Sequence, residues 1–325
     1  MKNYTVKRYL PEDYTLWNAF VSHAKNATFL FQRDFMEYHS DRFSDFSLMV
    51  FEGEKLISVI PANRAGAVVY SHQGLTYGGF VFEANVKMKT ALAAIREVLE
   101  FLHKQQIDSL QLKTIPAMYC DYFSEEINYA CFLMSAKLVR RDCLSVIDLS
   151  TPLSFTKTRK ESIRRGKKND LEIREDLQFE LFWNDILQPN LIKKHNAKPV
   201  HSLAEIQKLQ KSFPQNIRHF NVYHQNKIVA GTTVFVTGNV AHPQYISGND
   251  NNNELGSLDY LYDYLIQDVF NDKKYFDFGP SHEQNGTKIN DGILFWKNSF
   301  GAKITVQDFY DIPTSNYHLL ENILI

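Results

Sequence analysis

The 325-residue sequence predicts an α/β (α+β) chain of two domains, each a mixed, mostly antiparallel sheet flanked by helices. Three observations predict it. The two halves repeat one order of elements: strand, tight turn, strand, further strand, helix, strand. Matching fragments fall at matching places, "GEKLISV" with "QNKIVAG", and "KTIPA" with "DFGPS", the last two each ending a strand on a proline. The long helical segments are amphipathic, with Leu92, Ile95, Leu99 and Leu102 in one half and Leu258, Leu261, Leu265 and Val269 in the other at three- and four-residue spacing. A repeat of this size is an internal duplication at domain scale rather than a solenoid. The join is expected near Ser150-Thr151-Pro152, giving domains 1–150 and 151–325.

The first half opens with a strand, Tyr4 to Tyr9, and a helix from about Pro11, where a proline's missing N–H costs nothing. "FLFQRDFMEYHSDRF" reads as a helix carrying Arg33, His39 and Arg42. "FSLMVFEGEKLISVIPANR" reads as two strands around Glu52-Gly53-Glu54, and "AVVYSHQGLTYGGFVF" as a continuation of the sheet with paired glycines. The helix "MKTALAAIREVLEFLHKQ" leads to the strand "DSLQLKTIP". The second half opens with the basic run "FTKTRKESIRRGKKND" on one helix, where Arg159 shares a face with Ser162 and Ile163. In "KPVHSLAEIQ", Ser202 and Glu205 form a capping box. A hairpin then turns at Gln225-Asn226, "VAHPQYISG" adds a strand whose Pro243 requires an edge or a bulge, and a helix leads to "YFDFGPS". Between Gln178 and Gln215 ordinary helices are expected, with no long helical-hairpin arm.

Composition removes several classes of function. Apolar residues make up 44% and the net charge is -1, so the chain has an ordinary core and no global field toward polyanions. No signal-peptide pattern follows Met1, and no apolar run approaches the roughly 20 residues that span a bilayer. A soluble, cytoplasmic protein is expected. Cys120, Cys131 and Cys143 lack CxxC spacing and read as reduced, buried or half-buried thiols, and no His/Cys cluster has metal-ligand spacing. Asp277-Phe278-Gly279 matches the magnesium loop of protein kinases, but HRD, GxGxxG and the VAIK lysine are missing and no helical lobe follows. The triplet is better read as the end of a short buried strand, with Asp277 near a cleft.

Other residues carry polar chemistry. The basic helix suits phosphates of a sugar nucleotide, a lipid head or a tRNA, and equally a solvated face; Arg159 is its candidate substrate ligand. His201, just before the cap, suits a general base, and Tyr245 a hydrogen-bond donor or proton relay. Ser281, at a strand end, suits a substrate contact or a turn cap.

Taken together, "KPVHS", "QYISGND", "LDYLYDYLI", "YFDFGPS" and "NDGILFWKNSFGA" resemble the bacterial FemAB-like, tandem-GNAT proteins, including the BioF2-like acetyltransferase group. The resemblance covers the second half and, through the duplication, the first. It implies two GNAT-like domains and transfer of an acyl or aminoacyl group, from acyl-CoA (acetyl-CoA) or aminoacyl-tRNA, to an amine on a small molecule or a cell-envelope or sugar-nucleotide precursor. It assigns Lys297, in a W-K-x-x-F-G-like setting, to an acyl or phosphate oxygen, and carries Arg33 and Tyr77 to acceptor binding in the first domain. Gly256 and Ser257 fall where such folds hold a CoA pyrophosphate at a helix N-terminus, but Asn253 replaces Arg or Gln, Leu258 replaces a small residue, and Asp250, Glu254 and Asp259 crowd the loop. A tRNA partner and a non-catalytic ligand- or RNA-binding protein therefore stay open. The expected site is a cleft lined by Tyr245, Asp277, Ser281 and Lys297. Oligomeric state and the fate of the apolar tail "LLENILI" are not legible.

Overall fold

A computed structural model describes residues 3–323. The chain divides into two compact units, one formed by Met1–Asp142 with Val306–Ile325, the other by Cys143–Thr305. In chain order the first unit holds β1 (Tyr4–Arg8), α1 (Tyr14–Val21), α2 (Arg33–Met36), β2 (Ser44–Asp45), β3 (Leu48–Glu52), β4 (Lys55–Ile60), β5 (Asn63–Ala65), β6 (Val68–Tyr70), β7 (Val81–Phe82), α3 (Met88–Lys104), β8 (Ser109–Lys113), α4 (Glu126–Leu133) and the start of β9 (Lys137–Asp148). The second holds α5 (Lys157–Lys168), β10 (Glu172–Glu175), α6 (Phe179–Leu181), α7 (Gln188–His195), α8 (Leu203–Ser212), β11 (Ile217–His224), β12 (Lys227–Val236), β13 (Val240–Gly248), α9 (Asn252–Leu255), α10 (Ser257–Tyr264), β14 (Tyr275–Pro280), β15 (His282–Glu283), β16 (Lys288–Ile289), α11 (Asp291–Ser299) and the start of β17 (Lys303–Pro313). The chain passes from the first unit to the second within β9 and returns within β17, close in sequence to the Ser150-Thr151-Pro152 turn at the first crossing.

In the first unit, β1-β3-β4-β7 form one antiparallel sheet, and β8 lies between β17 and β6, with β5 and β2 beyond. Leu92, Ile95, Leu99 and Leu102 of α3 are buried with Leu48, Val50, Ile57 and Ile60, as their spacing requires. Each such side chain contributes roughly 1.5–3 kcal/mol on burial. Leu320 of the tail joins this core, while the last two tail residues lie outside the described ones. Two expectations need correction. Arg33, His39 and Arg42 do not share a helix: α2 ends at Met36, Glu37–His39 is a 3-10 turn, and Arg42 follows it. Residues 71–79 do not extend the sheet but fold into a loop. That loop fills the space where the parallel strands β6 and β8 part: Ser71 Oγ accepts from the Lys113 amide at 2.8 Å, and the Gly78 amide donates to Lys113 O at 2.8 Å. A side chain at Gly78 would stand 1.9 Å from Ser71 O, so only glycine fits.

The second unit has the strand order β10-β11-β12-β13-β14-β9. The β11–β12 hairpin turns at Gln225 and Asn226, both at positive φ (50° and 61°) as a tight type I′ turn requires. One face of the sheet packs on α10, burying Leu261, Tyr262 and Leu265 against Phe220, Val234, Phe276 and Phe278. The helix expected over "GSLDYLYDYLIQDVF" is α-helical only from Ser257 to Tyr264 and ends in a π-helical turn, Leu265–Val269. Between Gln178 and Gln215 another π-helical turn, Phe182–Leu187, joins α6 to α7. Pro243 sits at a bulge: Thr233 pairs with Tyr245 and Val234 with Pro243, leaving Gln244 as the extra residue. β13 and β14 run parallel on either side of α10, paired through Val240 with Tyr275 and Ala241 with Phe276, while β13 stays paired with β12 out to Gly248. Beyond Ala241 the two strands part, opening the sheet. Among the described residues no helix is long and apolar enough to cross a membrane.

Candidate functional site

The parting of β13 and β14 leaves the end of β14 without a partner from β13, and three of the expected residues come together there. Asp277, Ser281 and Lys297 are all buried at this end. Lys297, on α11, donates from Nζ to the carbonyls of Gly279 (3.0 Å) and Pro280 (2.6 Å). An ammonium has three N–H groups, so one is left over. Burial pushes the Lys297 ammonium down to about 8, against the opposing pull of Asp277. Asp277 Oδ1 accepts from the Gly279 amide at 2.7 Å, which fixes the turn out of β14. Ser281 Oγ lies 3.3 Å from Ser145 Oγ of β9.

A residue that sequence reasoning missed completes this group. His242 stands on β13 opposite Asp277, where the strands begin to part. Its Nδ1 must be protonated, because it donates to the carbonyl of Asp277 at 2.8 Å, and it also lies 3.4 Å from Asp277 Oδ2. In the neutral ring Nε2 is the lone-pair nitrogen, and it has no hydrogen-bond partner among the described residues. The imidazole is thus oriented by the aspartate as a proton acceptor is. The signal was present as "VAHP" beside "YFDFG", but only the parallel pairing of the two strands joins them.

Tyr245 and His201 form a separate buried pair. The phenol oxygen accepts from the His201 amide at 3.0 Å and is hydrogen-bonded to Nδ1 of the same residue, and the Tyr245 ring lies edge-on to Trp183 at 5.0 Å. Both tyrosine and histidine are spent on each other, on the face of β13 turned away from α10. Arg159 is likewise committed: it faces inward, is ion-paired with Asp259, donates to Ser299 Oγ at 2.8 Å and lies over the Phe300 ring at 4.7 Å. Its helical phase turns it toward the core, where a substrate contact was expected of it. In the first unit, Arg33 is buried on Asp45, Glu37 and the Tyr9 ring, and Tyr77 is buried with its hydroxyl 3.1 Å from Thr28 Oγ1. Both have structural occupations where acceptor contacts were expected.

The start of α10 does not fit a CoA pyrophosphate. Ser257 is fully buried and donates to Asn252 Oδ1 at 2.9 Å, and the same oxygen takes the Leu258 amide at 3.1 Å. Gly256 is pressed against α5, where a side chain would meet Ser162 O at 2.6 Å. Of the amides that would hold an anion there, that of Leu258 is therefore occupied by the chain itself. A cavity of about 450 Å³ lies alongside, lined by Asn190, Ile246, Asn249, Asn252, Asn253 and Asn290 among others. Asn249 Oδ1 is buried there without a partner among the described residues. Among the described residues no group of three or more His, Cys, Asp or Glu is placed to hold a metal ion. Cys120 and Cys131 are buried, and burial pushes both thiols up to about 12, which leaves them inert; Cys143 is half-buried.

No family model matches the chain, and no curated protein matches it by sequence. Solved structures do match. FemX aligns with a TM-score of 0.68 at 9% identity over 98% of this chain and 99% of its own. L-PGS from Bacillus licheniformis aligns at 0.57 and 10% over 97% and 96%. A tandem GNAT protein from the clavulanic acid biosynthesis pathway aligns at 0.51 and 9% over 96% and 99%. The chain has the FemAB-like tandem GNAT fold, a mixed α/β architecture with two GNAT-type units. At these identities the likeness is one of fold.

Proposed function

We propose that this protein is a GNAT-type N-acyltransferase that moves an aminoacyl or acyl group from an oxygen ester to an amine. The observation that carries the reading is the buried Lys297 ammonium, with a spare N–H, at the end of β14 where its pairing with β13 has stopped. The acceptor is taken as an amine on a cell-envelope or sugar-nucleotide precursor, the class implied by the resemblance to Fem proteins. The donor is taken as an ester of the aminoacyl-tRNA type, because at the start of α10 Asn252 already takes the Leu258 amide and the Ser257 hydroxyl and competes there with a CoA pyrophosphate.

The chemistry balances on groups of this unit. The acceptor nitrogen attacks the ester carbonyl carbon and the C–N bond forms. Negative charge gathers on the carbonyl oxygen, where the Lys297 ammonium stabilises it. The nitrogen gives its proton to His242 Nε2, held by Asp277. As the C–O bond breaks, that proton passes to the leaving oxygen. No covalent intermediate on the protein is needed.

The test is a transfer assay with aminoacyl-tRNA and, separately, acetyl-CoA, each with an amino-sugar-nucleotide peptide acceptor. Amide formation from the oxygen ester is expected, reduced about 10²–10³-fold by Lys297→Ala. Transfer from the thioester alone would overturn the donor assignment. Absence of transfer from either would return the chain to the ligand-binding reading.

A further inference from the structure

We propose that Trp296 is a positioning residue for Lys297: its bond to Asp259 fixes α11 on α10 and so seats the Lys297 ammonium on its two carbonyls. What Lys297 does there rests on the transfer reading; where it is held rests on the contacts alone. Lys297 reaches the carbonyls of Gly279 and Pro280 from a helix of nine residues, Asp291–Ser299. One side of that helix is solvated, with Ile293, Phe295 and Asn298 exposed. The other side is tied at two residues that bracket Lys297. Trp296 Nε1 donates to Asp259 Oδ1 of α10 at 2.8 Å, and Ser299 Oγ accepts from Arg159 Nε of α5 at 2.8 Å. The two ties are joined, because Arg159 is ion-paired with Asp259. The second oxygen of Asp259 takes the Ser162 hydroxyl. An acid that the sequence counts among those crowding the start of α10 is therefore only 13% exposed and is turned to α5 and α11.

The Trp296 ring closes the arrangement from the strand side. It lies edge-on to Phe278 at 5.4 Å and to Tyr262 of α10 at 5.2 Å. Phe278 stands in β14 between Asp277 and Gly279. One side chain thus touches the strand that supplies the carbonyls, bonds the helix that packs on that strand, and precedes the lysine that bridges to it. The indole N–H separates registry from packing. Aromatic edges tolerate sliding, whereas a hydrogen bond of 2.8 Å does not. A slip of α11 by one residue is about 1.5 Å along the axis and 100° around it, more than the two Lys297 bonds can absorb. A displacement of about 1 Å at a reacting centre costs about 10²-fold. Asp277 and Cys143 are the titratable groups whose charge acts on Lys297, so Asp259 acts on it through the seat of α11.

The experiment follows the titration of the Lys297 side chain by NMR in the full chain carrying 13C-labelled lysine, its signal assigned by loss in Lys297→Arg. The same proteins are assayed for kcat and KM of transfer from aminoacyl-tRNA. Trp296→Phe keeps an aromatic ring and loses the N–H. Ser299→Ala removes the other tie, and decides alone where Trp296→Phe does not fold. The control is Tyr262→Phe, which removes a buried hydroxyl 2.9 Å from Thr232 Oγ1 in the same aromatic core and leaves both ties intact. Lys297 should titrate near 8 in the parent and the control, and about one pH unit higher in Trp296→Phe and Ser299→Ala, as α11 slips and the ammonium reaches water. In Trp296→Phe kcat should fall about ten-fold or more with KM unchanged. Titration at one pH in all four proteins overturns the proposal, as does an equal rise in Tyr262→Phe, which would mean general loosening of the core. The expected titrations without amide formation by the parent would sink the transfer reading and leave this one standing. Amide formation by the parent with the Lys297 titration unmoved in both tie variants would do the reverse.

Discussion

At the scale of single residues, the end of β14 is where this chain accepts an unfavourable arrangement. An ammonium buried beside two carbonyls is held well below its usual range, to about 8. It is therefore still charged at pH 7 and loses its proton as pH rises past 8. Transfer that depends on the Lys297 charge should fall over that interval. Lys297→Arg keeps a charge at every accessible pH. The expected outcome is a lower maximal rate for Lys297→Arg but no fall between pH 8 and 9.5, read from kcat profiles of the two proteins. An identical alkaline fall in both would remove Lys297 from the chemistry. His242→Gln should lower kcat about 10²-fold with little change in KM, the loss typical of a general base; a change in KM alone would make it a binding residue. The sequence showed Asp277 and Ser281 as candidates because they close a strand, and the family resemblance supplied Lys297. The sequence hid His242, whose partner lies thirty-five residues away across a parallel pairing. Arg159 was read on one face with Ser162 and Ile163, where it lies, but a run of like charges did not show that this face is the buried one.

Elements show the same division between local and long-range causes. The capping box of Ser202 and Glu205, with bonds of 3.3 and 2.7 Å, and the turn at Gln225-Asn226 are decided within a few residues and were legible. The π-helical turns and the loop at residues 71–79 are decided by what packs on them, and no periodicity announces them. The α5–α10 contact is a case where one atom decides. At Gly166 a Cβ would stand 2.6 Å from Tyr260 Cβ and 2.8 Å from Gly256 O. Neither neighbour is the far end of a flexible chain, so the helices must separate. Gly166→Ala should cost about 1–3 kcal/mol despite alanine's better helix propensity. Gly292→Ala, on the exposed first turn of α11, meets nothing closer than 3.7 Å and should be neutral or stabilising by up to about 1 kcal/mol. Urea midpoints of the two variants decide it. A stabilised Gly166→Ala would mean that α5 does not sit tightly on α10.

For the molecule as a whole, the duplication was legible in matched fragments, but the different fates of its two halves were not. In the first, the parting of β6 and β8 is filled by the chain's own loop; in the second, the parting of β13 and β14 stays open. Each half also buries a neutral imidazole, and this sets how the protein meets acid. His72 is held down to about 3 by burial, with His39, Arg33 and Lys113 acting in the same direction. His219 is held down to about 4 by burial, with the Asp176 carboxylate pulling the other way; it bonds Thr233 Oγ1 and Asn221 Oδ1. A folded pKa below the unfolded one means that the unfolded chain binds the proton first. Their contribution is therefore complete above pH 6.5 and is lost as pH falls through 6.5 toward 4 and 3. Between pH 7 and 5, before most carboxylates titrate, each should remove about 2 kcal/mol of stability. The urea midpoint of the parent should drop steeply over that range, and His72→Asn/His219→Gln, whatever its stability at pH 7, should lose most of the slope. A parent midpoint that stays level from pH 7 to 5 would show that the two rings already take up protons in the folded state, and that neither half is closed around its histidine as tightly as the packing requires.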